Sequence, residues 1–142
     1  MFQGTSLLTL DAKGRMTMPT RHREVLAVAN SLEVTVTRHP DGCLLIYPRN
    51  VWESKRVALA ALPYSARVLQ RIVLGSAVDL TIDAAGRLHI PVDLRTLCGI
   101  GREVTLVGLG EHFELWDARE LAEQEKAALA AGLPAQAAEF QF

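Results

Sequence analysis

The chain has 142 residues, nearly half of them apolar, and a formal charge of −1. That length suits one ordinary domain or two small ones, and no apolar run reaches the roughly 18 residues a membrane-spanning helix needs. The small net charge conceals a split, with ten basic against five acidic residues through Arg71 and five against eleven beyond it.

Met1-Phe2-Gln3-Gly4 carries no basic region followed by an apolar stretch, so no signal peptide is expected. Thr5 to Leu10 alternates and reads as a strand. Asp11-Ala12-Lys13-Gly14-Arg15 reads as a turn, with Gly14 free to take positive φ and Asp11 able to accept from the turn's own amides. A strand from Arg15 to Met18 follows. Pro19 then suits the start of a helix over Thr20 to Ala29, with Asn30 closing it in a left-handed conformation. Leu32 to Thr37 is rich in β-branched residues and predicts a strand. His39-Pro40-Asp41-Gly42 is a turn, and Cys43 to Tyr47 a further strand. Asn50 and Glu53 have capping-box spacing and open a helix ending near Leu62-Pro63. Tyr64 to Leu74 reads as a helix with Val68, Leu69, Ile72 and Val73 on one face and Arg67 and Arg71 beside it.

The order then replays: strand Val78 to Ile82, turn Asp83 to Arg87, strand Leu88 to Ile90, and a short helix opened by Pro91 and ending at Cys98. Arg102 to Val107 and His112 to Trp116 are strands. Asp117 and Glu120 form a second capping box before a helix from Ala118 to Ala131, which Gly132 and Pro134 stop. The remaining tail is expected to fray. Thr9–Arg23 and Thr81–Arg95 share Thr, Asp, Ala, Gly, Arg, Pro and Arg at matching positions, an internal duplication. The expected divisions are 1–63 as first repeat, 64–75 as linking helix, 76–134 as second repeat and 135–142 as tail. Halves this short bury only about 60% of their unfolded surface, so the repeats are expected to share one core. Short strands with tight turns and outer helices predict an α+β, β-dominated, barrel-like fold.

The repeated stretch has two readings. In the structural one, Asp11 and Gly14, and Asp83 and Gly86, simply build the turns, and each arginine reaches back to its aspartate. In the functional one, Lys13 and Arg15 on an exposed turn suit DNA, lysine as a phosphate-seeking charge and arginine as a planar fork for guanine O6 and N7. The first copy favours the functional reading, with Arg21 and Arg23 close behind. The second has Ala85 where the first has Lys13 and lies in the acidic half, which favours the structural one.

Enzyme readings fail. His22, His39, His89 and His112 lack metal-ligand spacing. No phosphate-binding glycine motif and no GxSxG elbow is present. Cys43 and Cys98 are single and widely spaced, which suits a reducing cytoplasm better than a disulfide or metal site. Trp52 and Trp116 read as core or interface aromatics. No cofactor, metal or small-molecule substrate is expected.

Met1-Phe2-Gln3-Gly4 with Leu10-Asp11-Ala12-Lys13-Gly14-Arg15-Met16-Thr17-Met18-Pro19, then Asp83-Ala84-Ala85-Gly86-Arg87-Leu88-His89-Ile90-Pro91 and Phe113-Glu114-Leu115-Trp116, resemble the bacterial MraZ proteins over nearly the whole chain. The resemblance implies a pseudo-symmetric pair of AbrB-like swapped-hairpin units. It implies a cytoplasmic, nucleoid-associated regulator, usually a repressor, of the division and cell-wall gene cluster. It also implies a ring-shaped homo-oligomer that binds short direct repeats of double-stranded DNA in its own promoter. Arg15 falls on the family's DNA-binding arginine, Lys13 shares its turn, and Arg87 is the counterpart in the second copy. An antitoxin-like regulator with a protein partner and a purely structural ring-forming module are the alternatives.

Overall fold

The computed structural model describes all residues, 1–142. Eight strands and six α-helices follow the duplicated order: β1 (Thr5–Thr9), β2 (Arg15–Thr17), α1 (Thr20–Asn30), β3 (Glu33–Arg38), β4 (Leu44–Pro48), α2 (Arg49–Ala60), α3 (Arg67–Val73), β5 (Val78–Thr81), β6 (Arg87–His89), α4 (Val92–Leu97), β7 (Glu103–Gly108), β8 (Phe113–Asp117), α5 (Ala118–Ala131) and α6 (Ala135–Ala138). A single 3-10 turn, Tyr64–Ala66, precedes α3.

Neither repeat completes itself. β1 of the first pairs with β7 of the second, and β5 of the second pairs with β3 of the first. The six-stranded sheet therefore runs β1-β7-β8-β4-β3-β5, with every pairing antiparallel. The registers obey a pseudo-two-fold axis. Thr9 faces Glu103 as Thr81 faces Glu33, and Leu45 faces Glu114 at the central β4–β8 seam. A separate two-stranded ribbon, β2–β6, crosses the same axis where Met16 faces Leu88.

Crossed pairing puts apolar residues of both halves into one core. Met16, Met18, Leu26, Val34, Leu44, Ile46 and Ile82, Leu88, Ile90, Leu106, Phe113, Leu115 are all buried in a single cluster. Phe2 seals one end. Its ring lies 4.3 Å from Phe113, and buried His22 meets both rings edge-on. Burial lowers the His22 pKa, because the charged imidazolium would lose its hydration there. A smaller cluster of Leu45, Tyr47, Trp52 and Val73 lies under α2 and α3.

The α+β duplicated fold is the expected one, but the sheet is open: β1 and β5 are free edges. Helical residues outnumber strand residues. The shared core closes because the ribbon caps the sheet, with no need for β1 to reach β5. Other details also differ from expectation. α1 includes Asn30, and Ser31 and Leu32 take the left-handed conformations. α2 starts after Pro48, which has no side chain able to cap it, so the expected cap Asn50 lies inside the helix, where its Oδ1 accepts from the Val51 N–H. Val68 is exposed, because α3 packs through Leu69, Ile72 and Val73. The tail forms the one-turn helix α6. Asp117 caps α5 by accepting from the Glu120 amide at 3.4 Å. Trp52, Trp116 and Cys43 are buried.

Candidate nucleic-acid interface

Each Asp-x-x-Gly-Arg stretch is a self-wired turn. The Asp11 carboxylate accepts from the backbone N–H groups of Lys13 and Arg15, both at 2.9 Å, and from Arg15 Nε at 2.7 Å. Asp83 accepts from Ala85 and Arg87 N–H, again at 2.9 Å, with Arg87 Nε 3.4 Å away. Gly14 and Gly86 both sit at φ +82°, a conformation that costs other residues. The Arg15 amide, opposed by partial desolvation and helped by the Arg15 guanidinium and the Lys13 amide, lowers the Asp11 pKa to about 2. The Arg87 and Ala85 amides lower that of Asp83. Both carboxylates thus remain charged and already hydrogen-bonded.

Strand alternation then presents the arginines. In the ribbon, Met16 and Leu88 point into the core, and Arg15, Thr17, Arg87 and His89 occupy the outer face. Arg15 faces His89 and Thr17 faces Arg87. The two arginines are therefore diagonal neighbours, about 7–8 Å apart across the two strands. With Nε turned to an aspartate, the far end of each guanidinium has no hydrogen bond within the chain.

A second pair of arginines buttresses the turns crosswise. Arg95, at the C-terminal end of α4, lies against Gly14, and Arg23, in α1, lies against Gly86. Arg95 is fixed by donation from Nε to the Ile90 carbonyl at 3.1 Å, and Arg23 by donation to the Thr20 hydroxyl at 2.9 Å. Sequence reading gave Arg23 no structural part in the turns and Arg95 no role. The available signal was its identity in both repeats. Arg21, expected near the turn, reaches Ser6 Oγ on β1 at 3.2 Å instead.

The site residues of the two copies are placed equivalently, which the contrast between Lys13 and Ala85 did not suggest. Their surroundings still differ. The hollow under the first turn is lined by Asp11, Arg95 and Arg102, and the one under the second by Asp83, Arg23 and Glu24. Lys13 and Arg102 thus make the first end of the ribbon more basic. Like charges gathered on one outer face, with no enclosed reaction cleft, can attract and orient a polyanion. No group of three or more His, Cys, Asp or Glu side chains is placed to hold a metal, and no helix is long and apolar enough to cross a membrane.

The chain is similar to proteins named transcriptional regulator MraZ. It is 55% identical to that of Bordetella pertussis, 54% to that of Herminiimonas arsenicoxydans and 51% to that of Burkholderia mallei. Each alignment covers 100% of both proteins. It also matches the family described as "MraZ protein, putative antitoxin-like" twice, over residues 1–71 and 73–141. The two matches follow the two interlocked repeats, and the chain belongs to the MraZ family.

Proposed function

We propose that the chain is a sequence-specific DNA-binding transcriptional regulator that reads DNA with the outer face of the β2–β6 ribbon. The observation that carries this reading is the placement of Arg15 and Arg87 side by side on that face, each held by an aspartate and buttressed by an arginine from the opposite repeat. A major groove admits a two-stranded β-ribbon, and arginine pairs bidentately with guanine there. Lys13 and Arg102 add phosphate-seeking charge at one end. The full-length relatives named as transcriptional regulators support the same reading.

One such face makes few phosphate contacts and binds weakly by itself. Several copies in a ring, meeting evenly spaced direct repeats, multiply weak contacts through effective concentration. The finer reading is therefore a cytoplasmic, nucleoid-associated ring that represses the division and cell-wall gene cluster from its own promoter. The repeat divisions 1–63, 64–75, 76–134 and 135–142 belong to this reading. Footprinting and gel shifts on DNA upstream of the protein's own gene test it. Protection of spaced short repeats, weakening as salt rises, is the expected result. Equal affinity for unrelated DNA at every salt concentration would overturn sequence-specific binding. The family's antitoxin-like description favours a second reading, a regulator with a protein partner, which copurification of a stoichiometric toxin-like protein would support.

A further inference from the structure

The two repeats are unequally finished. α2 buries Trp52 and is clamped by α3, whose Gln70 amide donates to the carbonyls of Leu59 and Leu62 at 2.8 and 3.2 Å. Its counterpart α5 has no such clamp. α5 rests on β7 and β8, and Gln124 donates to the Asp41 carbonyl at 3.1 Å. Every residue from Ala122 to Phe142 is exposed. Leu133, Phe140 and Phe142 stand in solvent, the two phenylalanines paired edge-to-face.

The first repeat offers the complement. Between α2, α3 and the sheet lies an open apolar cavity of about 330 Å³, lined by Leu45, Tyr47, Leu59, Leu62, Leu69 and Val73. Its volume is within the usual range for an occupied pocket, about 300–1,000 Å³. Charge matches too. On α2 and α3, Arg67 and Arg71 have no acidic partner in the chain, whereas Arg49, Lys55 and Arg56 are each paired with one. From Ala118 onward the chain carries Glu120, Glu123, Glu125 and Glu139 against Arg119 and Lys126.

We propose that Leu133–Phe142 of one copy docks in the α2–α3 cavity of a second copy. This rests on the reading of the protein as a homo-oligomer and names the surfaces that join it. A second copy is the occupant because α5 is a 14-residue helix, about 21 Å long, whose second half stands clear of its own chain. Tail and cavity are different surfaces, so each copy gives one and receives one, and the contact passes from copy to copy.

Mass measurement by sedimentation of the full chain tests this with two surface variants. Phe140→Ser with Phe142→Ser removes the anchors, and Ala58→Glu, at an exposed position lining the cavity, blocks the receptor and repels the acidic tail. The wild type is expected as a multi-subunit species and each variant as a monomer with a wild-type far-UV spectrum. An equimolar mixture of the two variants should form a one-to-one dimer, because one intact tail meets one intact cavity. Variants that keep the wild-type mass, or a mixture that stays monomeric, overturn the interface while leaving an oligomeric wild type standing. A monomeric wild type overturns both readings, and protection of its tail from carboxypeptidase would place the tail in its own cavity. Should Ala58→Glu misfold, a labelled peptide of residues 133–142 must still bind the double phenylalanine variant; no binding overturns the proposal.

Discussion

The guanidinium of Arg95 lies against Gly14, a residue of the other repeat: a β-carbon built on Gly14 would stand 2.6 Å from Arg95 Cζ. Arg23 does the same to Gly86, at 2.7 Å from its Cζ. Each Asp-x-x-Gly-Arg turn is thus supported by the half of the chain it does not belong to. Gly14→Ala meets two penalties, a left-handed backbone costing about 1–2 kcal/mol for a residue with a β-carbon and displacement of Arg95. The expected result is a melting temperature lowered by several degrees together with weaker DNA binding. A Gly14→Ala protein that melts and binds as wild type does would show that Arg95 is no support.

Arg15→Ala and Arg87→Ala are both expected to weaken specific binding, since both arginines occupy the outer face of the ribbon. Loss of a bidentate base contact costs about 1–3 kcal/mol per site, or roughly 5- to 150-fold in affinity. Fluorescence anisotropy with specific and scrambled duplexes checks it. Lys13→Ala should instead weaken both duplexes alike and flatten the salt dependence. An unchanged Arg87→Ala would return the second turn to a purely structural role.

The pH dependence of stability follows from the turn carboxylates. The folded pKa of Asp11, about 2, lies below its ordinary 3.8, and that of Asp83 is lowered as well. Their stabilisation is present above about pH 4, where the unfolded chain's aspartates are also charged, and is lost as pH falls through the folded pKa. Melting curves between pH 2 and about 5 should therefore slope less for Asp11→Asn than for wild type. Parallel curves would mean that the Asp11 hydrogen bonds contribute nothing to this dependence.

The crossed pairing predicts that neither half folds alone. Residues 1–63 lack the β5 and β7 partners of β3 and β1, and 76–142 lack β1 and β3. Each half alone should give a disordered spectrum, and coexpression of 1–75, which keeps α3 on α2, with 76–142 should recover a folded one-to-one complex. A cooperative melt from residues 1–63 alone would contradict an obligatory shared core.

Local chemistry made much of this legible in advance. Asp, Gly and Arg at fixed spacing dictate a turn, because an aspartate can accept amides two and four residues on while glycine supplies positive φ. β-branched alternation placed β3, and the duplicated order of elements followed from the repeated residues. The charge split between the halves can also be read directly from the chain.

Partners distant in the chain could not be read this way. That β1 joins β7 rather than the strand after it depends on which sheet buries the apolar face of both repeats at once. The sheet stayed open because the ribbon already covers the core. Arg15 and Arg87, 72 positions apart in sequence, became diagonal neighbours because Met16 and Leu88 meet across the pseudo-axis. The two turns and their cations are set locally, by hydrogen bonds spanning a few residues. That both turns share one face follows from long-range pairing, which sets the register that brings them together.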